Sequence, residues 1–524
     1  MPSLSHLKHE KHEKGPKIMA TPALPELVAA FDDLQRRVES YDVALNIIEY
    51  DSQTVAPAAG AAAHGEAQAT LFAAMHDLQC SPETGELLAQ LNEHKDELDP
   101  LHAAELRVFT RTYEQDSRVP AQVAADYKRL TTESFHVWRQ ARENNDFASF
   151  APYLDRIFDS LREQAHYIAP EKDPYDVWLD RWEPGCSREV CDGFFDTVGK
   201  TVTPLVHDIV EQGIPTYEFA HQPVPVPVQQ AIAYDTAQAI GLDMSRLTFG
   251  LTAHPFTTCF DRNDVRIAHH YYENNVLECL ATTIHEGGHS LYEQNVDPKY
   301  SFTCLKGGAS AGMHESQSRL MENMVGRSRP FMEVLLPILR KHVPEIYNGV
   351  DADQLYRASN LVHPSLIRTQ ADELTYPLHV LVRYECEKLL MSGEVKAADI
   401  PALWNDLMKQ HLGVEVPNDT VGCLQDMHWA SNFVGYFTSY ALGNAYAAQF
   451  VHHARQAYDG DVDAAIASGD VTPITGWLKE NVWQHGGSLD PQDRITAACG
   501  EPFDPTYYTR YLGEKYGELY GLNG

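Results

Sequence analysis

The chain has 524 residues, 44% of them hydrophobic, enough to bury a large core in roughly two to four domain-sized units. Its 74 acidic residues against 41 basic ones leave a net charge of −33, which repels phosphate backbones and anionic lipid and argues against nucleic-acid and membrane-surface partners. It contains no run of about 18 apolar residues, so no membrane-spanning helix is expected.

Residues 1–22 carry lysines but no apolar stretch of the kind a secretory signal needs, and read as a disordered extension with Met19 as an alternative start. His6, His9 and His12 recur there every three residues, a pattern that on a flexible tail binds metal only weakly. From residue 23 the pattern turns helical: Leu24, Leu27, Val28, Phe31, Leu34, Val38 and Tyr41 fall on one stripe, and similar periodicity runs through 85–170 and 375–395. The fold class is therefore mainly α, with an N-terminal helical half over 23–222. Nine cysteines are spread from Cys80 to Cys499, and the one close pair, Cys186 and Cys191, lacks the spacer of a zinc knuckle; reduced thiols and a cytoplasmic location fit best.

Pro223, Pro225 and Pro227 predict an extended link into a catalytic half over 223–524, the two halves forming one integrated unit. Next come "RLTFGLTAHPF" and "NDVRIAHHYY", with the β-branched and aromatic content of short strands, separated by "TTCFDRN", which reads as a turn. A small β-sheet is thus expected just before residue 282.

"TTIHEGGHSLYEQ", residues 282–294, then places His285 and His289 one helical turn apart, so that both imidazoles can face one ion, with Glu286 beside them as a base for a water molecule. An H-E-x-x-H pattern arises by accident roughly 0.1 times or less in a chain of this composition. The paired Gly287 and Gly288 weaken a helix by roughly 1 to 2 kcal/mol and imply a packing reason. A metzincin-type third ligand is excluded by Tyr292 and Asn295. Glu293 lies about 12 Å along the helix from His285, too far to share its ion. A second helix must supply the carboxylate: after the break at Gly307–Gly308, Glu315 and Glu322 lie seven apart on one side. Glu315 is taken as the ligand and Glu322 as a buried supporting or packing residue.

These segments resemble the carboxypeptidase Taq family of metallocarboxypeptidases. The likeness rests on "HPF" at 254–256, "DVRI" at 264–267, "HEGGH" at 285–289, "HESQSR" at 314–319, "ADELTYPLHVLVRYE" at 371–385, "GCLQDMHW" at 422–429 and "GYFTSYALGN" at 435–444, in family order, and extends from about residue 40 to 521. The resemblance implies His285, His289 and Glu315 as metal ligands, Glu286 as the catalytic glutamate, one Zn2+ per chain with Co2+ as a substitute, and a helical saddle with a deep central groove. It also implies a homodimer that removes single C-terminal residues from peptides. Two departures from the family pattern are Ala268 in place of threonine and Tyr50 in place of tryptophan.

An oxyanion needs donors, and Tyr436, with His428 and Tyr440 nearby, has spacing similar to the His-Tyr pair of the related angiotensin-converting and oligopeptidase enzymes. A free substrate carboxylate calls for an arginine fork: Arg368 is the first candidate and Arg266 the second, while Arg383 suits either that role or a structural ion pair. His254 is a candidate donor to a substrate carbonyl; His269, His270, His452 and His453 read as ordinary polar residues. Two competing readings are an endo-acting oligopeptidase of the same clan and a non-catalytic helical scaffold with a structural metal. The latter normally needs four closed protein ligands.

Overall fold

The computed structural model describes residues 22–522; the tail histidines His6, His9 and His12, and Met19, lie outside them. Four helices come first: α1 (Leu24–Thr54), α2 (Ala61–Gln79), α3 (Pro82–Glu93) and α4 (Pro100–Ser117). The stripe read from the sequence is what holds them together, since Leu27, Phe31, Leu34 and Val38 of α1 bury against Leu88, Leu91, Leu106 and Phe109 in a small core of their own.

Next come α5 (Ala121–Asn144), α6 (Phe147–Ile168), α7 (Pro174–Trp182) and α8 (Arg188–Gln212). They open the main core. In α6, Phe150, Leu154, Ile157, Phe158 and Leu161 repeat at helical spacing and are all buried. This core continues without interruption to Leu519, so it crosses the proline-rich segment. That segment is shorter than expected: α9 (Val226–Ala239) starts within it, with Pro227 in its first turn, where the missing amide hydrogen costs nothing.

The sheet also departs from expectation. Besides β1 (Leu247–Leu251) and β3 (Asp264–His269), the stretch read as a turn is mostly strand β2 (Phe256–Asp261). Thr257, Thr258 and Phe260 suit a pleated surface, and the true turn is confined to Arg262–Asn263, where Asp261 accepts the Asn263 amide at 2.9 Å. The order is β1-β3-β2, with β1 parallel and β2 antiparallel to β3.

The chain continues through α10 (Val276–Asn295), α11 (Ala311–Arg319), a π-helical segment (Leu320–Gly326), α12 (Arg329–His342), α13 (Pro344–Tyr347) and α14 (Ala352–Ser359). It ends with α15 (Tyr376–Ser392), α16 (Ile400–Leu412), α17 (Phe437–Ala457), α18 (Val462–Ala467), α19 (Thr472–Asn481), α20 (Pro491–Cys499) and α21 (Thr506–Tyr520). A mainly helical fold with a small sheet beside the helix of the histidine motif is thus borne out. All nine cysteines are free thiols, and among the described residues no helix is long and apolar enough to cross a membrane.

Candidate active site

Helix α10 carries the histidine motif. The side chain of Asn275 caps it by accepting the Glu278 amide, and Val276, Leu280, Ile284 and Leu291 bury its apolar face. The two glycines of the motif have the packing reason that their helix cost demands. A Cβ on Gly288 would lie 2.5 Å from the Gln317 carbonyl oxygen and 2.6 Å from Ser318 Cα, so α11 approaches backbone to backbone; one on Gly287 would meet Ile240 at 2.3 Å.

That approach brings the Glu315 carboxylate to the histidines. Glu315 Oε2 lies 3.7 Å from His285 Nε2 and 3.5 Å from His289 Nε2, and one ligand atom from each of the three residues falls within 4.8 Å of the others. The spacing suits one divalent ion, because two ligand atoms about 2.1 Å from a tetrahedral centre sit about 3.4 Å apart. Each imidazole has its other nitrogen occupied. His285 Nδ1 meets Glu322 at 2.9 Å; His289 Nδ1 meets His314 at 2.6 Å, whose Nε2 meets Glu293 at 2.7 Å. Such partners orient metal-binding imidazoles. Glu293 therefore reaches the cluster only through His314, as its distance along the helix requires.

Arg319 ties the carboxylates together, donating to Glu315 at 2.7 Å and to Glu322 at 3.1 Å. Burial alone would raise the Glu322 carboxyl, but Arg319, Arg327 and His285 outweigh it and hold Glu322 well below the usual carboxylate range. Glu286 is 6% exposed, and Thr257 of β2 donates to its carboxylate at 2.7 Å. Thr257 fell in the stretch read as a turn, so only the strand reveals it.

The oxyanion candidates gather where α17 begins. His428 Nε2 and the Tyr440 hydroxyl are 3.3 Å apart, and the Tyr436 and Tyr440 rings are 5.1 Å apart, edge to face. Burial raises the Tyr436 phenol to about 12, with nearby Glu315 adding to the shift, so it stays a donor. Burial lowers His428 to about 3 and keeps it neutral.

Helix α7 supports this corner. Trp182 packs edge-on against Tyr436 at 5.0 Å and donates to the Val434 carbonyl, and the buried Glu387 of α15 accepts from Tyr175, Trp429 and the Gly435 amide. At the end of α7 the buried Glu183 accepts the Gly312 amide at 2.9 Å, in the first turn of α11. Glu387 among the mostly apolar buried residues of α15, and Glu183 closing α7, were the only traces of these supports in the sequence.

The arginines separate. Arg368 is 6% exposed and donates to Asp426 at 3.0 Å and to the Tyr376 hydroxyl at 3.0 Å, with its guanidinium 4.9 Å from the Tyr440 ring. Arg383, fully buried, donates to the other Asp426 oxygen at 2.7 Å and resolves as a structural ion pair. Burial opposes ionisation of Asp426, yet the two arginines hold it well below its ordinary value. Two guanidiniums on one carboxylate leave a positive charge uncompensated beside Tyr440. Arg266 is not brought to the metal cluster. Thr257, which faces Glu286, is paired with Ile267; Arg266 therefore projects from the other face of the sheet, stacked 4.5 Å over Phe260 and paired with Asp264. There Tyr50, Phe260 and Ala268 form one small buried cluster, so both departures from the family pattern lie in the same patch. His254 is exposed in the connection between β1 and β2.

The family model for the carboxypeptidase Taq (M32) metallopeptidases matches residues 30–516. The chain belongs to that family. It is 36% identical to carboxypeptidase 1 of Bacillus subtilis (strain 168) over 493 residues, covering 94% of this chain and 98% of that one. Identity to thermostable carboxypeptidase 1 of Pyrococcus furiosus is 32%, over 92% of this chain and 96% of the relative. Among solved structures, the M32 carboxypeptidase from Deinococcus radiodurans R1 superposes with a TM-score of 0.91 at 34% identity, covering 95% of this chain and all of that one. The metallocarboxypeptidase 1 of Trypanosoma cruzi gives 0.89 at 33%, over 94% and 99%. Family membership implies a divalent metal, and the converging donors of His285, His289 and Glu315 fit one.

Proposed function

We propose that this chain is a metal-dependent carboxypeptidase that releases single C-terminal residues from peptides with broad specificity, as a cytoplasmic homodimer, with Zn2+ held by His285, His289 and Glu315 and Co2+ as a substitute. The observation that carries the reading is the convergence of those three donors beside the carboxylate of Glu286, in a chain of this family. When bound, the ion acidifies a water molecule and polarises the scissile carbonyl.

The chain's own residues supply the rest. Glu286, steadied by Thr257, takes a proton from the attacking water and returns it to the leaving amine. Tyr436 donates to the developing oxyanion, with His428 and Tyr440 shaping that corner. His254, exposed between β1 and β2, donates to a substrate carbonyl. The positive excess of Arg368 and Arg383 over Asp426 attracts a free terminal carboxylate, with Arg368 as its contact. That excess favours exopeptidase action over the endo-acting alternative.

The test is a digest of one peptide as free acid and as C-terminal amide, followed by mass. A one-residue ladder from the free acid alone is expected, abolished by a chelator and restored by added Zn2+ or Co2+. Internal cleavage of the amide would overturn the reading. Glu286→Gln should retain the ion and lose about 10² to 10⁴-fold in kcat.

A further inference from the structure

A second cluster of metal-ligating side chains lies outside the active site, between α1 and α4. Asp32 on α1, with His102 and Glu105 one turn apart on α4, offer ligand atoms that all lie within 4.8 Å of one another, the same compactness as His285, His289 and Glu315. His102 Nε2 is 3.4 Å from Asp32 Oδ1. That is the separation, about 3.4 Å, of two atoms bound to one tetrahedral ion.

The imidazole is aimed. Asp99, which caps α4, holds His102 Nδ1 at 2.6 Å, so Nε2 is the nitrogen that faces Asp32 and Glu105. Glu322 does the same for His285 in the active site. Glu105 is only 1% exposed, and Gln35 donates to its Oε2 at 3.0 Å; no donor reaches its other oxygen among the described residues. Three carboxylates thus crowd one imidazole in a chain that already carries −33, and a dication offsets that charge. The site keeps a side open to water, since the Asp32 side chain is 47% exposed and that of His102 21%.

We infer that Asp32, His102 and Glu105 form a second divalent-cation site that staples α1 to α4. One imidazole and two carboxylates suit Zn2+, Co2+ or Mn2+. Gln35 carries the effect further, because its carbonyl oxygen accepts the Cys304 amide at 3.1 Å, in the segment that leads to α11.

The probe is Co2+, counted per chain after equilibrium dialysis, in the full chain with His6, His9 and His12 replaced by alanine. This reference should bind two ions, and His102→Gln and Asp32→Asn one each. The double variant His285→Gln/His289→Gln should also bind one, and its thermal midpoint should rise with Co2+; adding His102→Gln should abolish the rise. His102→Gln should keep its peptidase activity at saturating Co2+, which shows that it is folded. One ion per chain in the reference, or two retained in Asp32→Asn, overturns the proposal.

Discussion

Glu387 and Gly435 are joined by a 2.9 Å hydrogen bond between a buried carboxylate and a main-chain amide, and this bond fixes the entry to α17 one residue before Tyr436. The other Glu387 oxygen accepts from Trp429, one residue after His428, so one side chain clamps both ends of the loop between the two oxyanion candidates. An isosteric amide fails here: whichever way it turns, its N–H group faces another N–H. Glu387→Gln should therefore lower kcat by about 10- to 100-fold with KM and ion content unchanged, the usual cost of losing such a support. Steady-state kinetics and metal analysis on one preparation check this.

Burial pushes the carboxyls of both Glu387 and Glu183 up to about 7. A raised carboxyl binds its proton more tightly in the folded chain, so its contribution to stability is fully present below about pH 4.3 and is lost as pH rises through about 7, on the order of 3 kcal/mol per group. Glu183→Gln, neutral throughout, should remove that decline. Urea unfolding at pH 5 and pH 8 should show the wild type losing stability relative to the variant over this interval.

Arg368→Lys keeps the charge and loses the fork. If Arg368 holds the terminal carboxylate, KM for free-acid peptides should rise about 10- to 100-fold while kcat changes little, the effect of a charged hydrogen bond worth about 1.5–3 kcal/mol. An unchanged KM would place the anchor elsewhere.

Gly443 of α17 lies where α11 passes closest: a Cβ there would be 2.9 Å from both Cβ and Cγ of Glu315. Gly443→Ala should push the ligand off its histidines. We expect metal affinity to fall at least about tenfold, with about 1–3 kcal/mol of overpacking strain, read by competition with a chelator and by thermal unfolding.

Thr257→Val removes the hydroxyl that holds Glu286 and keeps the shape of β2. A fall of about tenfold in kcat at full metal occupancy is expected.

What could be read from the sequence was what repeats locally. His285, Glu286 and His289 share one turn, and Glu315 and Glu322 share one side of the next helical stretch, so periodicity and family likeness together pointed to the side chains that the fold groups here. The strand carrying Thr257 was hidden because its Thr-rich residues run into "DRN", whose turn chemistry is stronger than its β pattern. Asp426, Glu387 and Glu183 act across long sequence separations, through buried hydrogen bonds that no period announces. The face that Arg266 takes was hidden for a different reason: which face of a strand a side chain takes depends on the register with its neighbours, and that is set by pairing.

The π-helical segment Leu320–Gly326 bears on the charge of the site. Arg327 bonds Glu322 from five residues on, both through its backbone amide at 2.9 Å and through its guanidinium at 2.8 Å. At 3.6 residues per turn a fifth residue would point well away. The widened coil thus stacks a cation directly above Glu322, with Arg319 on its other flank, and so keeps a permanent anion against the far nitrogen of His285. A local change in winding, one hydrogen bond behind the imidazole, decides which tautomer His285 presents.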